Sequence, residues 1–315
     1  MYNHEFYLKI FREFEVDDTP ETFEPCNIGH INTTLMVRCD GQIKYVLQKI
    51  NTSIFKKPAE LIENILNVTD FIKKKVLAAG GDPAREVLRL IPTRDGTFYT
   101  TDADGWVWRM YYFIIGAKTF QTAETPELFY NSALAFGKFQ RMLSDFPADK
   151  LHETIPNFHN TVSRFADFKK ALADDVAGRA DSVREEVQFV LDHEGICSYI
   201  TDRIASGEYP LRVTHNDTKL NNVMIDEKTF KAVCVIDLDT VMPGSVLYDF
   251  GDSIRFGASN ADEDERDLSK VFMRLDLFED YTRGFITGLE NSLTDAEILG
   301  LPMGAIIITF ETGIR

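Results

Sequence analysis

The chain does not open on a basic segment followed by an apolar stretch; Met1-Tyr-Asn-His-Glu-Phe6 predicts no signal peptide. Long hydrophobic runs are missing as well, and the one near the end, Ala305-Ile-Ile-Ile-Thr-Phe310, is far too short to span a membrane. Cysteine is scarce. Cys26, Cys39, Cys197 and Cys234 are scattered without a CxxC pair, which argues against zinc or disulfide frameworks and fits a reducing, cytoplasmic setting. Positive charge is in deficit, since 34 Lys plus Arg against 50 Asp plus Glu leave a net −16. Such a charge repels the phosphate backbone, so no nucleic-acid partner is expected. Small anions remain accessible through local amides, a few cations or bound Mg²⁺. What is present is globular: 315 residues, 44% hydrophobic and 27% charged, enough for about two lobes with a proper core.

The first third predicts strands around one helix. Leu35–Arg38 and Tyr45–Ile50 form a hairpin turning at Asp40-Gly41. A helix begins near Pro58, repeats Ile62, Ile65, Thr69, Ile72 and Val76 at helical spacing, and stops at Gly80-Gly81. Val87–Ile91 and Trp106–Ile115 read as further strands. After Gly116 the texture turns helical: Phe129, Ala133, Phe136, Phe139, Leu143 and Phe146 share one face, and 161–176, 182–205, 263–288 and 294–315 follow the same period. A short strand cluster interrupts at 211–238. Segregated strands and helices predict an α+β chain, with a β-rich lobe over 1–114 and a helical lobe over 115–315. The end, Phe310-Glu-Thr-Gly-Ile-Arg315, stops in mid-pattern, so a longer parent chain is expected.

The chemistry concentrates in Thr214-His-Asn-Asp-Thr-Lys-Leu-Asn-Asn222. His-x-Asp followed five residues on by Asn is the spacing of a kinase catalytic loop. There an Asp beside the acceptor hydroxyl orients it and takes its proton, and an amide oxygen binds the metal that neutralises the phosphates. Asp217 is the candidate base, Asn222 a candidate metal ligand, and Lys219 can meet charge on the transferring phosphoryl group. Twenty residues beyond Asp217, Val235-Ile-Asp-Leu-Asp239 ends a hydrophobic strand on acidic residues, where the second metal ligand, Asp237, is needed. The competing reading is a polar hairpin capped by turn-forming Asp and Asn. The literal Asp249-Phe-Gly251 is read as a decoy: it lies past Pro243-Gly244 at a helix start, where its carboxylate would brace the catalytic loop.

Gly29-His-Ile-Asn32, His215–Asn222, Cys234–Gly244 and Leu247–Asp252 resemble the aminoglycoside phosphotransferase-like, or choline kinase-like, small-molecule kinases, and within them the N-acetylhexosamine 1-kinases. The resemblance implies a bilobal protein-kinase-like fold. It also implies ATP and Mg²⁺, and phosphorylation of the anomeric hydroxyl of N-acetylglucosamine or N-acetylgalactosamine. By motif position it makes Asp217 the base, Asn222 and Asp237 the Mg²⁺ ligands, and Glu63 the partner of an ATP-orienting cation. Gly29, His30 and Asn32 fall in the phosphate loop, where His30 and Asn32 would touch phosphate or sugar. Glu311 and Arg315 resemble a segment near the sugar. Two departures stand out: the loop is not Gly-x-Gly-x-x-Gly, and Gln48 stands where strand alternation would put the phosphate-binding lysine, with Lys49 next to it. Unless the strand bulges, only one of the two can face the nucleotide. Other acceptors (an aminoglycoside, an amino alcohol, another sugar) and a catalytically silent pseudokinase stay open, as does the oligomeric state.

Overall fold

The computed structural model describes residues 3–26, 31–123, 125–261 and 265–315. The chain runs through helix α1 (His4–Arg12), strands β1 (Thr22–Cys26), β2 (Thr33–Cys39) and β3 (Gln42–Lys49), helices α2 (Pro58–Ala78) and α3 (Pro83–Glu86), and strands β4 (Thr100–Thr101), β5 (Val107–Tyr112) and β6 (Ala117–Lys118). Helices α4 (Pro126–Met142), α5 (Thr161–Asp174), α6 (Arg184–Asp192) and α7 (Tyr199–Ser206) follow. The remainder is β7 (Arg212–Thr214), β8 (Val223–Asp226), β9 (Ala232–Val235), β10 (Met242–Gly244), α8 (Val246–Gly257), α9 (Leu275–Leu289) and α10 (Asp295–Gly313). The class is α+β, β-rich first and helical after, as the sequence predicts. Two compact units emerge: Met1–Thr119 with Met224–Asp239, and Phe120–Val223 with Thr240–Arg315. The expected division after 114 therefore moves to 119, and 224–239 joins the first unit. Strand pairing accounts for this, because β8 pairs with β6 through Ala117↔Asp226 and Arg85 holds Asp226 at 2.7 Å.

In the first unit five strands pair antiparallel in the order β1-β2-β3-β5-β4. The β2–β3 hairpin turns at Asp40 and Gly41, both at positive φ (50° and 75°), which Asp tolerates and glycine favours. Helix α1, capped by the Asn3 side chain on the Phe6 amide, packs Tyr7, Ile10 and Phe11 against Leu35, Val37, Leu47, Trp108 and Met110. Alternation along β3 and β5 then sends Gln48 and its cross-strand neighbour Arg109 to the opposite face. Neither α1 nor β1 is apparent from the sequence pattern. Val87–Ile91 is not a full strand either; it touches the sheet edge through the Leu90↔Tyr111 bridge and the Ile91 amide bond to Met110.

In the second unit α4 packs along α9 and α8 along α10. Glycines set both approaches: a Cβ on Gly288 would strike the Leu134 carbonyl, and one on Gly251 the Gly304 carbonyl. Segment 182–205 divides into α6 and α7 around a tight turn at Glu194–Ile196, and helix resumes only at Leu275 within 263–288. Helix α10 starts on a capping box, Thr294 with Glu297. By length and hydropathy this helix could cross a membrane. Its packing is that of a core helix, with Glu297 buried against Arg212 and Glu311 buried against His159.

Candidate active site

Strand β7 delivers the chain into the loop 215–222, whose residues His215, Asn216 and Thr218 are fixed from below. His215 is fully buried, its ring edge-on to Phe136 and Phe139 of α4, and its Nδ1 accepts the Asp217 amide at 3.3 Å. Asn216 sits at φ 65°, a left-handed conformation that asparagine adopts more readily than most residues with a Cβ. Four hydrogen bonds hold it there. Its amide donates to Asp249 Oδ1 (2.7 Å), its side chain donates to the Thr240 carbonyl (2.8 Å) and the Thr214 carbonyl (3.3 Å), and its own carbonyl meets His159 Nε2 (3.1 Å). Asp249 also accepts the His215 amide (3.0 Å) and the Gln140 side chain. So the Asp of the literal Asp-Phe-Gly braces the loop, as its spacing predicts. Burial pushes its carboxyl above the usual range, opposed by His215, by the two loop amides and by Gln140. Asp252 Oδ2 accepts the Thr218 amide (2.9 Å) and Ser253 donates to the Thr218 carbonyl (2.7 Å), so α8 carries most of the scaffold.

On this scaffold Asp217 is half-buried between two donors. Lys219 Nζ lies 3.1 Å from Oδ1, and Asn222 Nδ2 lies 3.1 Å from Oδ2 and 2.8 Å from the Asp217 carbonyl. Burial works against the Lys219 charge, but Asp217, and then Asp252, raise its pKa over the ordinary value despite Arg255. Because the Asn222 amide nitrogen is spent on Asp217, its oxygen is the end left for a metal. Asp217, Lys219 and Asn222 thus come together as the spacing predicts.

The first unit holds the other polar cluster. Arg109, 1% exposed, grips Asp239 with both nitrogens, Nη1–Oδ1 at 2.6 Å and Nη2–Oδ2 at 2.8 Å. Its Nε and Nη2 donate to Gln48 Oε1 at 3.1 and 2.9 Å, and Gln48 donates on to Thr34 Oγ1 (3.0 Å). Asn32 donates to Asp239 Oδ2 (2.7 Å) and accepts the Asn51 amide (2.9 Å). Burial opposes the Arg109 charge; Asp239, with smaller help from Tyr111 and Asp237, more than restores it, and the pKa stays raised. Asp237, two residues earlier, is exposed with φ 59°.

The other candidate residues differ in placement. Asn32 has both ends of its amide engaged inside the protein, on Asp239 and on the Asn51 amide. Gln48 faces the polar cluster, whereas Lys49 is turned over the Trp106 ring at 4.3 Å; the buried cation of this sheet is Arg109, which sequence reading left unassigned. Glu63 is exposed on α2, and the carboxylate that holds Arg109 is Asp239. Glu311 is 1% exposed, with its oxygens engaged by His159 (2.9 Å) and Thr161 (2.7 Å). Arg315 lies over the Phe158 ring at 5.6 Å, its pKa lowered by partial desolvation and then by Arg164, with Arg255 adding to the same effect. Gly29 and His30 lie outside the described residues.

The family model described as a phosphotransferase enzyme family, APH, matches residues 22–282. Among solved structures, a microcompartment-associated aminopropanol kinase aligns at TM-score 0.62 and 17% identity, over 99% of this chain and 90% of that one. An amicoumacin kinase in complex with AMP-PNP, Ca²⁺ and Ami aligns at 0.61 and 13%, over 99% and 85%. A spectinomycin phosphotransferase in complex with ADP and spectinomycin aligns at 0.59 and 11%, over 97% and 85%. At these identities the likeness is one of fold.

Proposed function

The chain belongs to the phosphotransferase enzyme family, and from that premise we propose that it transfers the γ-phosphoryl group of ATP to the anomeric hydroxyl of an N-acetylhexosamine. The observation that carries this reading is the Asp217 carboxylate, held at both oxygens by Lys219 and Asn222 on a braced loop. Asp217 accepts the hydroxyl proton as the sugar oxygen bonds to the γ-phosphorus. The bond from that phosphorus to the β-bridging oxygen breaks, and ADP leaves. Lys219 meets the charge on the moving phosphoryl group. Asn222 and Asp237 are the proposed Mg²⁺ ligands, on the chemistry of an amide oxygen and an exposed carboxylate, hard donors of the kind this ion takes. Bound there, Mg²⁺ would neutralise the β- and γ-phosphate charge.

Charge near the loop bears on the acceptor. Arg315 stands in the field of Arg164 and Arg255, and Arg255 is paired with Asp252 at 3.0 Å. Arg164 Nε is buried with no hydrogen-bond partner among the described residues. Arginines there disfavour a polycationic aminoglycoside or a quaternary amino alcohol, and suit a neutral sugar whose amine is acetylated. One observation favours a second reading. Gln48, rather than a lysine, faces the sheet's polar cluster, as a silent nucleotide-binding module would tolerate.

An ADP-release screen with ATP and Mg²⁺ over N-acetylglucosamine, N-acetylgalactosamine, choline and kanamycin separates these readings. Both sugars should release ADP and give the 1-phosphate by phosphorus NMR. A 6-phosphate, or turnover with choline or kanamycin alone, overturns the sugar 1-kinase, and ATP binding without turnover supports the silent module. Asp217→Asn should lower turnover by roughly 10² to 10⁴ while ATP binding survives.

A further inference from the structure

His159 lies outside every motif that points to the catalytic loop, yet it touches that loop beside the base. Its ring is buried, stacked on Tyr248 of α8 at 5.1 Å and 29°, with Phe158 edge-on at 4.7 Å. Nδ1 lies 2.9 Å from Glu311 Oε1, and Nε2 lies 3.1 Å from the Asn216 carbonyl. Glu311 is fixed in turn by the Thr161 hydroxyl at the start of α5. A carbonyl oxygen cannot donate, and an ionised carboxylate cannot either. Both contacts are therefore hydrogen bonds only if the His159–Glu311 pair holds one proton more than neutral imidazole and carboxylate together. Whether that proton sits on Nδ1 or on Oε1, its loss sets two lone pairs face to face or abandons the Asn216 carbonyl.

Resting on the assignment of Asp217 as base, we propose that His159 is a positioning residue of the catalytic loop: a protonated clamp tying the carbonyl of left-handed Asn216 to Glu311 on α10, and so fixing the orientation of Asp217. The clamp acts on a left-handed peptide: Asn216 sits at φ 65°, and His159 supplies one of the four hydrogen bonds that fix it there. The charged groups facing the ring are Glu311 from α10 and Asp252 from α8, and Arg315, beyond α10, faces the same two carboxylates. Burial alone would lower the His159 pKa. Glu311, then Asp252 and the Asn216 carbonyl, outweigh it, so the imidazolium persists above the ordinary histidine value. For a group raised on folding, the stabilisation is complete below the unfolded pKa and disappears as pH climbs through the folded one. The loop should therefore loosen as pH climbs past the raised His159 pKa.

Two measurements test the clamp. In proton NMR of the intact chain, the His159 Cε1–H resonance, assigned by its loss in His159→Gln, should titrate above the ordinary histidine pKa, and Glu311→Gln should move that midpoint down. A midpoint at or below the ordinary value overturns the proposal. With N-acetylglucosamine as acceptor, His159→Gln should lower kcat on the order of tenfold, leave both KM values within about twofold, and remove the alkaline fall in kcat expected of the wild type. A variant that loses only melting temperature, with kcat and its pH profile unchanged, also overturns it. If His159→Gln does not fold, the shifted midpoint and earlier alkaline limb of Glu311→Gln carry the same decision. The NMR titration needs no substrate. A failure of Asp217 as base would appear instead as undiminished turnover in Asp217→Asn, with the His159 midpoint still raised.

Discussion

Arg109 keeps a full charge with almost no exposure because Asp239 meets it with both oxygens, while Gln48 and Asn32 complete the shell around the pair. Breaking such a pair is far more damaging than never having built it, since the survivor is stranded without water. Arg109→Met should therefore cost about 3–5 kcal/mol in denaturant unfolding. Adding Asp239→Asn should recover much of that loss, because the stranded charge goes with it. Costs that simply add would show that the two residues are not coupled. Asp237 lies two positions away in sequence and behaves differently. It is exposed and left-handed, a conformation asparagine adopts readily, so Asp237→Asn should leave the melting temperature within a degree or two, roughly. Its effect should appear in a Mg²⁺ titration of ADP release, as a higher metal requirement. A melting loss with an unchanged Mg²⁺ response would make Asp237 a structural turn residue.

At the scale of elements, helix α8 connects packing to chemistry. It presents Asp249, Asp252 and Ser253 to the loop, and it reaches α10 at Gly251 against the Gly304 carbonyl. A methyl group at Gly251 has no flexible side chain to displace, so the helices must part. Gly251→Ala should cost about 1–3 kcal/mol. Because α8 carries the loop braces, it should also lower kcat more than either KM. A stability loss with full kcat would separate the helix contact from the loop. The same scale explains which features the sequence makes legible. The β2–β3 hairpin is legible because Asp40-Gly41 decides it locally, and α2 because its apolar period runs unbroken behind Pro58. Strand β1 is not legible, since its five residues include Pro25 and bury no side chain fully. Asp217, Lys219 and Asn222 are legible because one loop spaces them. Arg109 with Asp239 is not, nor is His159 with Glu311, because those partners lie 130 and 152 residues apart and only the folded units bring them together.

For the whole molecule the relevant quantity is the net charge of −16, which repels ATP at long range even though Lys219, Arg255 and Arg315 cluster with the loop. The two influences separate by distance. Screening length is about 8–10 Å at ordinary ionic strength, so added salt weakens the global repulsion while contacts at hydrogen-bond distance are screened much less. If the global charge governs encounter, kcat/KM for ATP should rise roughly twofold between about 0.02 and 0.15 M salt at fixed Mg²⁺, the reverse of a cation-steered enzyme. The KM for N-acetylglucosamine, a neutral acceptor, should barely respond over that range. An acidic cleft steering a cationic acceptor would instead give a KM that climbs with salt, since the attraction that gathers the acceptor would be the interaction screened. A kcat/KM for ATP that falls steeply would mean that the local cations dominate nucleotide encounter. Charge-reversing a few exposed carboxylates far from the loop would then leave the rate unchanged, whereas under global control the same changes raise it.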